Sequence, residues 1–331
     1  MSQSTTRIHW IALTAAVTLL TAACAIKRIG PPAGVPMAPV AGAENTNLYY
    51  VGEIVSGVRL GHSGIINALA GREVRLIKPV AISGFGNDIY IADAGKRTLY
   101  RYDRLRRGFY ELKDAGSMLV GDASQIYAAV NNTFYVVDPF GKQVLQFDRD
   151  GNAVRQFKNT PNVPQPVAVS VDHATGQVQI ADGTHGYVVI FNKVGQALFA
   201  TGSRGDDKGQ FRMITAMSSG PDGMYVADRL RGDIQVLGRE GNYLYSFGKG
   251  NVTFPSALVV SADNRVIVAD THDNTLKIFR DGKLIEKIGN TGNGPGQFSA
   301  VTDMWLSDDN KLYVADSLNN RIQVFQLRVQ K

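Results

Sequence analysis

Short runs of alternating apolar and polar residues fill the chain from residue 48 onward, and clusters of Gly, Asp and Asn separate them. The clearest run is LYVAD, Leu312 to Asp316. It recurs as VIVAD (Val266 to Asp270), MYVAD (Met224 to Asp228), VQIAD (Val178 to Asp182), FYVVD (Phe134 to Asp138) and IYIAD (Ile89 to Asp93). From Asp93 to Asp316 the closing aspartates stand 45, 44, 46, 42 and 46 residues apart. Period-two alternation between turn clusters predicts short antiparallel strands. Six copies at one period predict a repeat architecture, in which each unit buries its faces against its neighbours.

The copy around Asp228 shows the unit. Thr215 to Ser218 predicts a first strand, Gly220-Pro221-Asp222-Gly223 a turn, and Met224 to Asp228 a second strand. Ile234 to Leu237 predicts a third and, after Glu240-Gly241, Tyr243 to Phe247 a fourth. Four strands in one such repeat is the size of a β-propeller blade. Six residues after each aspartate comes an aliphatic side chain: Leu99, Val144, Val188, Ile234, Leu276 and Ile322. Nine residues after comes a large apolar one: Tyr102, Phe147, Phe191, Leu237, Phe279 and Phe325. A glycine turn follows in five copies, at Gly108, Gly151, Gly195, Gly241 and Gly282. The sixth copy has no room for a fourth strand before Lys331, and Leu48-Tyr49-Tyr50-Val51 has the pattern of the missing one. The expected fold is therefore all-β, a six-bladed β-propeller of four-stranded antiparallel blades. The N-terminal strand would close the ring and leave no sheet edge at the seam.

The last copy reads GQFSAVTDMWLSDDNKLYVADSLNNRIQVF from Gly296 to Phe325 and resembles the NHL repeat. KGQF at Lys208 to Phe211 and FPSALVV at Phe254 to Val260 repeat its opening, and VADTHDNTLKIF at Val268 to Phe279 repeats its centre. The resemblance covers about Lys78 to Phe325 and implies a six-bladed propeller of the NHL family. The first two copies depart from it: Asp138-Pro139-Phe140 replaces the polar turn, and no GQF precedes them.

The N-terminus has a different character. Residues 1–23 carry one basic residue, Arg7, no acid, an apolar run from Trp10 to Leu20, and Thr21-Ala22-Ala23 directly before Cys24. That order predicts a secretory signal. Cys24 is the only cysteine, so no internal disulfide framework exists. Its position resembles the bacterial lipoprotein signal, which implies cleavage before Cys24 and lipid attachment to it. Ala25 in the next position implies sorting to the outer membrane of a Gram-negative bacterium. The segment up to Thr46, rich in Pro, Ala and Gly, cannot bury enough apolar surface to order itself and reads as a spacer. The expected organisation is a lipoprotein signal peptide over 1–23, a lipidated Cys and tether over 24–46, and the propeller over 47–331. The formal net charge of +6 permits an acidic partner without demanding one.

Candidate chemistry is sparse. Each repeated aspartate closes a strand before a polar turn, where a carboxylate accepts backbone N–H groups, and sixfold repetition points to architecture. Some metal-dependent lyases, such as the peptidylglycine amidating lyase, resemble this chain in repeat. They place zinc-binding histidines just after the proline that opens the first strand of several blades. Those positions here hold Val80, Val167 and Ser256. No GxSxG elbow and no Walker fingerprint occurs. No catalytic residue, metal or cofactor is assigned. The competing expectation, a propeller hydrolase or lyase with a metal site at the channel mouth, would draw on Asp303, His62 or His272.

The loops following the aspartates should share one end of the ring. They carry Lys96 and Arg97, Phe140 and Lys142, His185 and Tyr187, Arg229 and Arg231, His272, and Arg321. Basic residues interleaved with aromatics predict a face for an acidic protein segment or an anionic glycan. Export makes nucleic acid an unexpected partner. The expected function is a lipid-anchored envelope scaffold that binds a protein or polysaccharide through this face. One long link, Glu53 to Ile77, reads either as a binding loop over the channel or as extra strand from a worn blade.

Overall fold

The computed structural model describes residues 46–60, 73–119, 121–158 and 163–328. Each repeat is an antiparallel meander whose second strand ends on its aspartate. Blade 4 is typical, with strands Ile214–Gly220, Gly223–Asp228, Asp233–Leu237 and Tyr243–Phe247. The first strands of the six blades are Pro79–Phe85, Gln125–Ala128, Pro166–Val171, Ile214–Gly220, Pro255–Val260 and Val301–Leu306. Each packs on the next and the last packs on the first, which closes a ring around a central channel. The chain is a six-bladed β-propeller.

Both faces of an inner strand meet a neighbouring blade, so the alternation seen at the blade margins fades inward. The runs VQIAD, MYVAD and VIVAD are buried at every position. Six apolar clusters make up the core, each lying between two adjacent blades. Val80, Ala92, Phe134 and Phe147 pack between blades 1 and 2, and Ala257, Leu276, Val314 and Phe325 between blades 5 and 6. The aliphatic and large apolar positions read from the sequence supply these contacts, with Tyr102 alone among them only partly buried. After the third strand the chain reverses through a left-handed residue: Gly151, Gly195, Gly241 and Gly282 have φ of 90°, 86°, 85° and 72°. Glycine takes that conformation without steric cost.

Ring closure follows the sequence pattern. Leu48–Ile54 pairs antiparallel with Arg321–Leu327, setting Leu48 opposite Leu327 and Ile54 opposite Ile322. The strand is longer than its four predicted residues, and a bulge between Tyr50 and Gly52 keeps it in register. Polar anchors fix both ends. Asn47 donates from its backbone and side-chain nitrogens to Glu286 at 2.7 Å, and Arg265 Nη1 donates to Asn47 Oδ1 at 3.0 Å. Arg321 Nη1 reaches Glu53 at 3.0 Å.

The described parts of the long link extend a blade. Ser56–Arg59 runs parallel to the last strand of blade 1, through Val58 opposite Gly108 and Arg59 opposite Phe109. Glu73–Arg75 pairs antiparallel with Ser56–Arg59, giving blade 1 a six-stranded sheet. The sequence signal at 1–23, Cys24, nearly all of the tether, and His62 lie outside the described residues.

Candidate functional site

The six aspartates are structural joints. Asp182 is fully buried; its Oδ2 accepts the Gln165 N–H at 2.7 Å and its Oδ1 accepts those of Thr184 and His185 at 2.9 and 2.7 Å. Asp270 accepts Thr253, Phe254 and His272 N–H groups at 2.8, 3.0 and 3.0 Å, and adds Lys277 Nζ at 2.5 Å. Burial works to raise the pKa of Asp270. The Lys277 ammonium and the three N–H donors outweigh it and hold the carboxyl below its ordinary range. In each case the carboxylate ties the segment entering a blade to the loop leaving its second strand. That task arises once per blade, which accounts for the repetition.

Those loops gather at one end of the ring, here called the loop face. Lys96, Arg97, Phe140, Lys142, His185, Arg229 and His272 are exposed there. Three local pairings order them. The His185 ring stacks on Tyr187 with centroids 5.6 Å apart, while His185 Nδ1 lies 3.1 Å from Asp182 Oδ1. Arg229 sits 4.8 Å over the Phe254 ring, whose other neighbour is His272 in an edge contact at 5.4 Å. Lys96 Nζ lies 5.9 Å from the centroid of Tyr100. Burial first, then Asp182, raises the Tyr187 hydroxyl above its usual range, so that side chain is a neutral donor at physiological pH.

Two candidates lie beneath the surface. Arg321 is buried, 6 % exposed; it binds Asp316 at 2.9 Å, Glu53 at 3.0 Å, and the carbonyls of Gly294 and Gln297 at 2.9 and 3.1 Å. It clamps the closing strand to its blade, with four of its five N–H donors engaged inside the protein. Arg231 pairs with Asp233 at 3.1 Å and donates to the Asp206 carbonyl.

Blades 1 and 2 bring the remaining loop-face features together. The last strand of blade 1 runs into a short helix, Lys113–Ser117, on the way to blade 2. Between this segment and the loop after Asp93 is a cavity of about 360 Å³, lined among others by Arg97, Thr98, Leu112, Lys113 and Ser117. Gly121 completes it and packs against Phe140: a Cβ on Gly121 would stand 2.5 Å from the Phe140 Cβ. Neither Lys113 nor Phe254 stands out in the sequence. Lys113 lies between repeats, and Phe254 stands at the position of the exposed Met213, two residues after Val252, which takes the buried place of Phe211 and Phe298.

The residues of the competing enzymatic expectation stand apart. His272 is exposed on the loop face, and His62 is outside the described residues. Asp303 is in the channel. It occupies the first strand of blade 6 and accepts the N–H of Ile82 in blade 1 at 2.9 Å, that of Met304 at 2.9 Å, and that of Ile126 in blade 2. A side chain bonded to the inner strands of two other blades lies inside the ring of first strands. Burial pushes its carboxyl from 3.8 up to about 8; the three N–H donors oppose that shift without cancelling it. Among the described residues no group of three or more His, Cys, Asp or Glu is placed to hold a metal ion.

Comparison with known proteins agrees with the architecture. A family model described as a 6-bladed β-propeller matches residues 255–330, which are blade 5 and most of blade 6. No curated protein sequence matches. Among solved structures 1192 chains match, a breadth that leaves function open. One, described as a streptogramin B lyase structure, is 10% identical and superposes with a TM-score of 0.58 over 85% of this chain and 98% of its own. At that identity the likeness concerns the fold alone.

Proposed function

We propose that the chain is an NHL-type propeller, anchored at the envelope of a Gram-negative bacterium by a lipid on Cys24, that binds a protein or polysaccharide partner through its loop face. Unequal charge pairing between the two ends of the ring carries this reading. On the loop face Lys96, Lys113, Lys142 and Arg229 form no ion pair among the described residues. On the opposite face more of the cations are matched: Arg104 with Asp309 at 2.7 Å, Arg239 with Asp172 at 3.2 Å, Arg280 with Asp263 at 3.0 Å and Lys311 with Asp309 at 2.6 Å, while Arg107, Lys193 and Lys283 form no ion pair there among the described residues. An excess of unmatched cations at one end concentrates anionic groups there and raises their association rate.

Chain direction adds support. Leu48 pairs with Leu327 and Arg328 N donates to the Asn47 carbonyl at 2.8 Å, so the closing strand enters from the end away from the loop face. A tether leaving there would hold that end toward the membrane and present the loop face outward. Crosslinking in native membranes tests the proposal. Lys96→Glu, Lys142→Glu and Arg229→Glu together should deplete the captured partner, and an unchanged capture would defeat it. Cys24→Ser should release the protein from the membrane fraction, and retention there would remove the lipid anchor from the proposal.

A further inference from the structure

We infer that the cavity between blades 1 and 2 is a subsite for one carboxylated sugar unit of an anionic polysaccharide, with Phe140 as its stacking platform. The inference deepens the loop-face reading above and rests on it. Size comes first. A volume of about 360 Å³ is near the lower end of small-molecule sites and suits a single ring.

Charge selects the ligand. Lys113, which forms no ion pair among the described residues, brings a cation to the cavity beside Arg97, and the one lining carboxylate, Glu111, is held by Arg59. An anionic group is therefore matched there, and a carboxylate accepts from guanidinium and ammonium donors alike. The hydroxyls select further. Thr98 Oγ1 donates to the Lys96 carbonyl at 3.0 Å and Ser117 Oγ to that of Asp114 at 2.8 Å. With their protons committed, both oxygens present lone pairs, which complement the hydroxyl donors of a sugar.

Phe140 supplies the third element. Its side chain is 77 % exposed, an unusual position for a large apolar ring, and its base is fixed against Gly121 at the cavity. An aromatic face open to water can cover the C–H face of a pyranose and recover that apolar area. The site is also preformed. Leu112 N donates to the Leu99 carbonyl at 2.9 Å, and Gln143 Nε2 binds both the Met118 carbonyl at 3.1 Å and Asp138 at 2.8 Å. An acidic peptide fits less well, because its side chains bring no ring of hydroxyl donors to these two acceptor oxygens. Lys96 and Lys142, exposed in the flanking loops, extend the positive surface for neighbouring units of a polymer.

Titration of the chain from Cys24 onward with oligogalacturonate, neutral cello-oligosaccharide and poly-glutamate tests this. Oligogalacturonate should bind and the neutral oligomer should not. Lys113→Ala and Phe140→Ala should each weaken binding by about tenfold, the worth of one charge-assisted bond or one stacked ring. Lys249→Ala, on the same face beside blade 5, should leave it unchanged. Both tested side chains are exposed, so matched melting curves will separate lost binding from lost folding. Binding that Lys249→Ala weakens and the cavity variants do not would overturn the subsite while sparing the loop-face reading. Preference for poly-glutamate would overturn the sugar assignment alone. Binding to none of the three probes would overturn the subsite, leaving the loop face to be judged by its crosslinking.

Discussion

Replacing Asp303 by Asn should change how stability depends on pH. In the unfolded chain this carboxyl titrates near 3.8; in the channel, burial moves it to about 8. Between those values the folded protein keeps a proton that the unfolded chain has lost. Stability therefore falls as pH rises through that window, by about 1.4 kcal/mol per pH unit, and levels off above pH 8. Between pH 5 and pH 7 the loss is about 3 kcal/mol, a large fraction of the roughly 5–15 kcal/mol that holds a domain together. Asn at this site does not titrate. It also turns an amide N–H toward one backbone donor, and that fixed cost is the same at every pH.

The quantity to measure is therefore the wild-type stability minus the variant's, followed across pH. Urea unfolding read by tryptophan fluorescence is suited to it. A chain starting at Cys24 has Trp305 as its only tryptophan, two residues from Asp303 and stacked on Tyr313 with centroids 4.9 Å apart. The difference should shift by about 3 kcal/mol against the wild type on going from pH 5 to pH 7. A difference that stays flat from pH 5 to pH 8 would show that Asp303 is ionised in the folded protein. The three N–H donors would then have outweighed burial.

Other perturbations probe the closure and the repeat. Leu48→Ala removes a fully buried side chain from the blade 5–6 core and should cost about 2–5 kcal/mol in urea unfolding. Deleting residues 47–52 uncovers the edge of Arg321–Leu327, and calorimetry should show a lower, less cooperative transition. Arg321→Met strands Asp316 and Glu53 without their cation and should cost about 3–5 kcal/mol, whereas a surface arginine would cost little. Gly223→Ala places a Cβ 2.2 Å from the Leu237 carbonyl at a φ of 135°, and should lower the melting temperature by several degrees.

Much of this architecture is legible because the blade is repeated. The offsets of six and nine residues from each aspartate identify core positions, since a strand pair in fixed register presents the same faces each time. The missing fourth strand after Phe325 gave the closure. Register also explains why Arg321, expected in the loop, is buried. The residue five places after each aspartate pairs directly across from it: Asp93 with Thr98, Asp138 with Gln143, Asp182 with Tyr187, Asp316 with Arg321. Only the positions between them stand in the loop. The added strands Ser56–Arg59 and Glu73–Arg75 are too short, and their parallel pairing too dependent on tertiary contact, to leave a periodic signal.

Where the repeat fails, it is more informative. Asp303 sits opposite Ala315 at the register where blades 1, 3, 4 and 5 pair Ala81 with Ala92, Ala168 with Ala181, Ala216 with Ala227, and Ala257 with Ala269. One carboxyl among alanines is visible in the sequence once the blades are aligned by their aspartates. The cavity follows the same logic. Into blades 4 and 6 the connector carries GQF, and Phe211 and Phe298 are fully buried against the neighbouring blades. The connector into blade 2 has no GQF; Leu112 and Ala115 are its buried side chains, and the cavity lies beside them. A worn repeat thus leaves space on the loop face between Arg97 and Lys113, with Phe140 beside it against Gly121. Degeneracy of the first two copies, which weakens them as evidence of family, is what leaves that space unfilled.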